Sequence, residues 1–239
     1  MEKFNTDFDF FWSLIENNKN FTFSRYADGE IRLMKGVDVS LSSQAFIEDK
    51  WSSPIGLTKS GKQLLETINH CESNYYYAIS APTDNVDDYN YLINNISQSK
   101  ENITFANLWI NANYRKSKKK YSELKREVVL ICNKNGKIEN FPFNISTLIP
   151  FHDDCINFWE TNGDVFLGNL INQFKDSVNK LFFISCGPIS EIIIHHLYIN
   201  NPNNTYIDVG SSIDEYVHGR ITRPYMRPET QYYNEISKF

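Results

Sequence analysis

Short apolar segments with strand character alternate along this chain with segments whose apolar residues recur at helical spacing. The strand-like segments are rich in β-branched and aromatic residues, and most of them are apolar at successive positions. They cover residues 21–24, 75–79, 103–106, 128–132, 181–185 and 206–209. A strand that is apolar on both faces needs cover on both sides, which is typical of a mainly parallel sheet between layers of helices.

The helical pattern lies between these strands. Apolar residues recur every three or four positions within residues 89–96, 166–178 and 189–197. This alternation predicts the α/β class, with a Rossmann-like, mainly parallel sheet flanked by helices, whose ligands gather at the carboxyl ends of the strands. We expect all 239 residues to form a single domain. From about residue 219 onward, two prolines and scattered aromatic residues predict an extended tail laid over the domain.

Charge and composition restrict the class of protein. The net charge of −5 disfavours a general nucleic-acid-binding protein, which normally carries a basic excess. The one basic run, Arg115 to Lys120, is interpreted either as a solvated surface or as a docking patch for an anionic membrane or an acidic acceptor. No apolar stretch reaches membrane-spanning length and the N-terminus lacks signal-peptide features, so we expect a cytoplasmic protein. The four cysteines are too scattered to predict a zinc site or a disulfide framework.

Two carboxylates, Asp28 and Glu30, flank Gly29 where a predicted strand gives way to a predicted helix. Either acid can simply stabilise the helix N-terminus, where backbone N–H groups lack partners. The D-x-E spacing can also hold a hard divalent cation such as Mn²⁺ or Mg²⁺, which prefers oxygen ligands and often completes its shell with phosphate oxygens. Arg25 lies three residues before Asp28, and its guanidinium is predicted either to bind those phosphate oxygens or to form a salt bridge with one of the two acids.

Two later turns also follow predicted strands. At Cys186-Gly187-Pro188, the glycine permits close backbone approach and the proline suits the first position of a helix. This turn is therefore either a phosphate- or nucleotide-binding helix N-terminus or an ordinary connection. After the last predicted strand, Asp208 and Gly210 open a polar loop, where Asp208 either binds a ribose or sugar hydroxyl or caps the loop.

Three segments carry a resemblance to a known family. They are R-Y-A-D-G-E (residues 25–30) followed by an apolar helix, C-G-P (186–188) and Y-I-D-V-G (206–210). Together they resemble the GT-D fold glycosyltransferases, a bacterial family first catalogued as a domain of unknown function, with a motif of the R-F-G-D-G-E type. The resemblance spans nearly the whole chain, although residues 59–163 match only in the rhythm of strands and helices. The chain departs from the motif at Tyr26 and Ala27, which preserves the carboxylates but affects the expected sugar pocket.

The resemblance implies a Rossmann-like single domain that transfers a sugar from a nucleotide-diphosphate donor, often a UDP-sugar, to a hydroxyl of a glycan or glycoconjugate. Carried over to this sequence, Asp28 and Glu30 act on the metal and the diphosphate, and Arg25 lies beside them. The physical rationale is that a divalent cation neutralises the negative charge that develops on the departing diphosphate.

An inverting reaction would also use a general base to activate the acceptor hydroxyl. The segment FHDDCINFWETNGD (residues 151–164) offers Asp153, Asp154 and Asp164, of which we take Asp154 as the catalytic candidate, although a capped loop fits the segment equally well. Trp109 is interpreted either as a stacking surface for a sugar or base or as a core residue.

Other interpretations stay open at this point. His218 and Arg220 can close on the diphosphate from the tail or lie on the surface. An S-adenosylmethionine-dependent methyltransferase would also use a strand, a small-residue turn and a later acid, but no G-x-G follows an early predicted strand and the D-x-E pair would have no task. A non-catalytic carbohydrate-binding module would use only the aromatic residues, which form 15% of the chain.

Overall fold

The computed structural model describes residues 8–37, 39–40, 52–53 and 55–227, which contain nine strands and eight α-helices. In chain order, the strands are β1 Thr22–Tyr26, β2 Val39–Ser40, β3 Ser52–Ser53, β4 Tyr75–Ile79, β5 Ile103–Phe105, β6 Val128–Asn133, β7 Ile145–Phe151, β8 Leu181–Ser185 and β9 Thr205–Asp208. The α-helices are α1 Phe8–Glu16, α2 Asp28–Lys35, α3 Lys59–Thr67, α4 Val86–Asn95, α5 Tyr114–Glu123, α6 Cys155–Phe174, α7 Ser190–Asn200 and α8 Asp214–His218.

Seven of the strands form one sheet in the order β5-β4-β1-β9-β8-β6-β7, and every neighbouring pair is parallel. The short strands β2 and β3 pair with each other in an antiparallel ribbon. The predicted fold class, a Rossmann-like parallel sheet flanked by helices, is therefore confirmed. Because all seven strands run the same way, their carboxyl ends lie along a single edge of the sheet, where open α/β folds bind ligands.

The direction of each crossover determines which face of the sheet its helix covers. The connections from β1 through β4 to β5 and from β7 through β8 to β9 run in the same direction across the sheet, whereas the connection from β5 to β6 runs in the opposite direction. Since parallel crossovers are right-handed, opposite directions place helices on opposite faces. Helices α2, α3, α4, α6 and α7 accordingly contribute to one hydrophobic core, and α1, α5 and α8 contribute to the other.

The core between α1, α5 and the sheet is strongly aromatic. Trp109 is 2% exposed, and its ring meets Phe8, Phe11 and Phe23 edge-on at centroid distances of 5.2–6.5 Å. Burying one large apolar side chain stabilises a fold by about 1.5–3 kcal/mol, so this cluster anchors α1 to the sheet. Trp109 is thus a core residue, and the interpretation of its ring as a sugar-stacking surface is wrong.

Strand β7 forms one edge of the sheet. Sequence patterning predicts turns in residues 133–144, where the structure has a 3₁₀ turn at Ile138–Asn140, but it does not predict the edge strand β7 that follows.

After Gly219, a second 3₁₀ turn at Pro224–Met226 lies against the domain with Tyr225 and Met226 buried. The rest of the predicted tail is outside the described residues. Among the helices that the structure describes, none combines the length and apolar composition that crossing a bilayer requires.

Candidate functional site

A cavity of about 480 Å³ opens at the carboxyl edge of the sheet. Its floor is formed by the ends of the central strands: Arg25 comes from β1, Asp208 from β9, Ser185 from β8 and Asn133 from β6. This volume falls in the ordinary range for small-molecule sites, and the position is where parallel α/β sheets bind ligands.

Asp28 and Glu30 lie on the cavity wall in the first turn of α2, as the sequence predicts. Asp28 is exposed, whereas Glu30 is only 4% exposed. Ala27 precedes the helix and has no capping side chain, and its backbone N–H donates to Oε2 of Glu30 at 2.7 Å. Glu30 therefore helps to close the helix N-terminus while its carboxylate also borders the cavity. The two acids have different environments: one is free to meet a ligand and the other is held by the backbone.

Arg25 and Asp208 form a buried ion pair on the cavity floor. Nε of Arg25 donates to Oδ2 of Asp208 at 3.0 Å, and the backbone N–H of Gly210 donates to Oδ1 at 2.7 Å. Although burial opposes it, the negative charge of Asp208 raises the pKa of Arg25 above its ordinary value. Because both oxygens of Asp208 have protein donors, Asp208 acts here as the anchor of Arg25. Arg25 itself pairs with Asp208, a residue 183 positions away, and not with Asp28 or Glu30 as considered from the sequence.

Glu191, in the first turn of α7, lies below this pair and was not predicted from the sequence. Its side chain is fully buried, and Oε1 accepts the backbone N–H of Arg25 at 3.2 Å. Burial, together with the negative charges of Asp208 and Glu30, raises the pKa of Glu191 well above its ordinary value. Because burial and neighbouring negative charge both oppose ionisation, the neutral form of Glu191 fits this environment.

The environment of Glu30 also favours its neutral form. Burial raises the pKa of Glu30 to about 7, although the charge of Arg25 and the N–H of Ala27 act in the opposite direction. Three buried carboxyl groups, those of Glu30, Asp208 and Glu191, thus lie around Arg25. Such an excess of acid favours protons or cations close to it.

The turn at Gly187 and Pro188 lines the cavity. However, α7 begins at Ser190, so the expectation that Pro188 occupies the first helical position is wrong. Gly187 has a φ of +58°, a left-handed conformation that glycine adopts without strain, and this lets the chain reverse next to the cavity. Ser190 then accepts the N–H of Cys186 through Oγ at 2.9 Å, which fixes the turn.

The three candidate bases are in different places. Asp154 is the N-cap of α6, where Oδ1 accepts the N–H of Asn157 at 3.3 Å, and it is not among the residues that line the cavity. Asp164 forms a surface ion pair with Lys59 at 2.7 Å. Asp153 is the one of the three that lines the cavity. Although partial burial opposes it, the hydrogen bond and charge of Lys134 lower the pKa of Asp153.

The segment around α8 forms the opposite wall. His218 lines the cavity, whereas Arg220 is exposed and does not. Arg223 and Tyr225 also line the cavity and were not singled out from the sequence, because nothing local marks them. The hydroxyl groups of Tyr225 and Ser211 are 2.7 Å apart, and this hydrogen bond ties the wall to the loop after β9.

The basic run predicted as a possible membrane-docking patch forms part of α5. Lys118 pairs with Glu215 at 2.7 Å and Lys120 pairs with Glu16 at 2.9 Å. Much of this basic charge is therefore compensated within the domain. Membrane contact through Arg115 to Lys120 stays a prediction.

The residues that line the cavity can be compared with the ligands that the predicted metal would need. Within the described residues, no three His, Cys, Asp or Glu side chains are grouped so that they could hold a metal ion together. Mg²⁺ is commonly bound through only one or two carboxylates, with waters and substrate phosphates completing its shell. Asp28 and Glu30 fit that kind of site, because they are oxygen donors on the wall of a cavity with excess acid.

Comparisons with known proteins are consistent with this architecture. Neither a protein-family model nor a curated protein matches the chain. A solved structure described as "Selenomethionine substituted structure of domain of unknown function 1792 (DUF1792)" superposes with a TM-score of 0.61 at 15% identity. The match covers 98% of this chain and 93% of that one. This chain has the DUF1792 fold.

A second solved structure, described as "The highly conserved domain of unknown function 1792 has a distinct glycosyltransferase fold", gives a TM-score of 0.59 at 14% identity. It covers the same shares of the two chains, 98% and 93%. The predicted resemblance to the GT-D fold is thereby confirmed at the level of fold. Because one fold hosts several activities, the reaction has to be argued from the site.

Proposed function

We propose that this chain is a metal-dependent glycosyltransferase that moves a sugar from a nucleotide-diphosphate donor, of the UDP-sugar type, to a hydroxyl group of a glycan or glycoconjugate in the cytoplasm. The observation that carries the proposal is the juxtaposition of Asp28 and Glu30 with Arg25 at one end of a cavity, within a glycosyltransferase fold. A diphosphate is the part of the donor that needs both kinds of charge, since it binds a guanidinium directly and a carboxylate only through a cation.

The donor is proposed to lie along the carboxyl edge, with its diphosphate between β1 and the first turn of α2. Arg25 is anchored by Asp208, so its guanidinium is pre-organised and loses little freedom when it binds phosphate. The Gly187 turn brings backbone close to the same space, where it can border the nucleoside without a side chain in the way. Asp208 takes part through Arg25, as an anchor.

Asp28 and Glu30 are the residues proposed to hold Mn²⁺ or Mg²⁺. When bound there, the cation would supply Lewis-acid stabilisation of the diphosphate leaving group. Glu30 has a pKa of about 7, so its ionised form, which binds cations, becomes the major form only above neutral pH unless a cation is present.

Asp153 is proposed as the group that accepts the proton of the acceptor hydroxyl if the reaction inverts, in place of Asp154. It faces the cavity, and Lys134 keeps its pKa low, so it is ionised at neutral pH. The carboxylate of Asp154 instead caps the N-terminus of α6, just beyond the cavity.

The test combines binding and turnover. Thermal unfolding and titration calorimetry with UDP, with and without Mn²⁺, measure donor-site binding, and UDP release from a panel of UDP-sugars measures hydrolysis or transfer. We expect Mn²⁺-dependent UDP binding in the native chain, and a loss of turnover of about 100-fold or more in Asp28→Asn and Glu30→Gln. Asp164→Asn is the matched control, because it removes a carboxylate that pairs with Lys59 on the surface.

The proposal fails if UDP does not bind with Mn²⁺, or if both carboxylate variants turn over the donor as the native chain does. S-adenosylmethionine is included in the same screen, and a shift with that ligand alone would favour a methyltransferase. Binding of a glycan with no metal dependence and no turnover would favour a carbohydrate-binding module.

A further inference from the structure

The pairing between the two central strands of the sheet, β1 and β9, stops before the cavity. Strand β1 pairs with β4 along its whole length, from Thr22 to Tyr26. Its pairing with β9 is limited to Thr22 and Phe23, so the pairing of these two strands stops before the carboxyl end of β1. The last part of β1, which leads into Arg25 and then Asp28, therefore lacks the support of a strand on one side.

The backbone N–H of Arg25 points to this open side. In a parallel sheet, successive N–H groups of a strand face opposite neighbours. The N–H of Thr22 donates to the chain leading into β4, at Asn74, so the N–H of Arg25, three residues later, faces β9. Its acceptor is Oε1 of Glu191, at 3.2 Å, and not a carbonyl of β9. A side chain of α7 thus supplies the hydrogen-bond acceptor that a carbonyl group of the neighbouring strand would normally provide.

We propose that Glu191 is a positioning residue of the donor site, whose carboxyl group replaces the missing β9 carbonyl and fixes the end of β1 that presents Arg25 and Asp28. The inference rests on the proposed function only in what the site binds. Glu191 is suited to this role because it is fully buried and belongs to a helix that packs on both β1 and β9. It lies below the cavity and not among the residues that line it, so it acts through the strand and not on the donor.

Three variants test the role. Glu191→Gln keeps an oxygen that can accept the N–H of Arg25, whereas Glu191→Leu keeps the volume and removes the acceptor. Ile193→Val is the matched control, because Ile193 is fully buried in the same helix and loses only one methylene. Each variant is measured for UDP-sugar turnover with Mn²⁺, for thermal unfolding and for amide hydrogen exchange of a peptide that contains Arg25.

We expect Glu191→Gln to keep the donor KM within about threefold of native, and Glu191→Leu to raise it about tenfold or more with a smaller change in kcat. Exchange at Arg25 should accelerate about tenfold in Glu191→Leu and stay near native in Glu191→Gln. Ile193→Val should lower the melting temperature without changing KM. If Glu191→Leu retains the native KM and exchange, or if Glu191→Gln is as impaired as Glu191→Leu, the role is refuted.

The role of Glu191 can still be tested if a variant does not fold or if the native chain does not bind UDP-sugars. If Glu191→Leu does not fold, Glu191→Gln and hydrogen exchange in the native chain still decide it, since an amide at Arg25 that exchanges as fast as an unprotected one would overturn the proposal. If the native chain neither binds nor turns over UDP-sugars, the proposed function fails, while exchange at Arg25 in the Gln and Leu variants still reports whether Glu191 holds β1.

Discussion

Replacing Gly210 by alanine tests whether the loop after β9 holds the arginine of the site in place. Gly210 has a φ of +49°, and a Cβ atom on it would lie 2.8–3.0 Å from three atoms of the Arg25 guanidinium. The end of an arginine side chain can usually move aside at little cost. Here it is held by Asp208 at 3.0 Å, so moving it breaks a buried ion pair.

The size of the effect follows from two contributions. A non-glycine residue in the left-handed region costs about 1–2 kcal/mol. Losing a charge-assisted hydrogen bond costs about 1.5–3 kcal/mol more, so Gly210→Ala should destabilise the fold by about 2.5–5 kcal/mol. Gly219 supplies the control, because it also has a positive φ, of +66°, but its added Cβ would have no atom within 4 Å. Gly219→Ala should therefore cost only the backbone contribution.

Chemical denaturation of both variants, with and without an Arg25→Ala background, measures the difference. We expect Gly210→Ala to lose about 2 kcal/mol more than Gly219→Ala in the native background, and the two losses to become similar once Arg25 is truncated. Equal losses in the native background would show that Gly210 does not hold Arg25, and the argument for a pre-organised guanidinium would then be wrong.

Three further predictions follow from the structure. Burial lowers the pKa of His195 to about 4, so the free energy of unfolding should be highest above pH 6.5 and should fall by about 2 kcal/mol, after allowing for partial exposure, as the pH drops towards 4. In His195→Phe, the urea concentration at the unfolding midpoint should change less across that pH range. In α6, Gly163→Ala would press on a buried indole ring at 2.6 Å and should lower the melting temperature, whereas Gly168→Ala, with open space around it, should raise the melting temperature by removing a helix glycine. Lys134→Met should raise the pKa of Asp153 and shift the acid limb of the turnover–pH profile upward, and an unchanged limb would argue against Asp153 as the base.

Most of the central sheet could be predicted because its strands are apolar on both faces, a property that is visible in a short window of sequence. Strand β7 could not, because it lies at the edge of the sheet, most of its residues are partly or fully exposed, and it contains Pro150. The first half of α6 was open to a second interpretation for a related reason: its acidic start at Asp153 and Asp154 also fits a capped loop. Packing against the rest of the domain decides such segments, and it is not a local property.

The residues of the site also differ in how far they could be predicted from the sequence. Asp28 and Glu30 could be predicted together because they are neighbours in sequence at a strand-to-helix junction. Arg25 and Asp208 could each be predicted as a candidate, but not as a pair, since 183 residues separate them. Glu191 looks like an ordinary first-turn acid in sequence. The available signal was its position within a helix whose neighbouring residues are apolar, where an unpaired charge would be costly.

The charges of the site explain why these five residues belong together. Asp208 pairs with Arg25, and burial raises the pKa of Glu191 and so favours its neutral form, which limits the excess negative charge on the cavity floor. Burial raises the pKa of Glu30 to about 7, so its charge can change near neutral pH, and exposed Asp28 lies two residues before it. A diphosphate approaching these two acids alone would be repelled, whereas a cation between them would remove the repulsion and favour the ionised form of Glu30. Under the proposed function, this balance of charge would couple binding of the anionic donor to binding of the cation, through residues that the fold already holds in place.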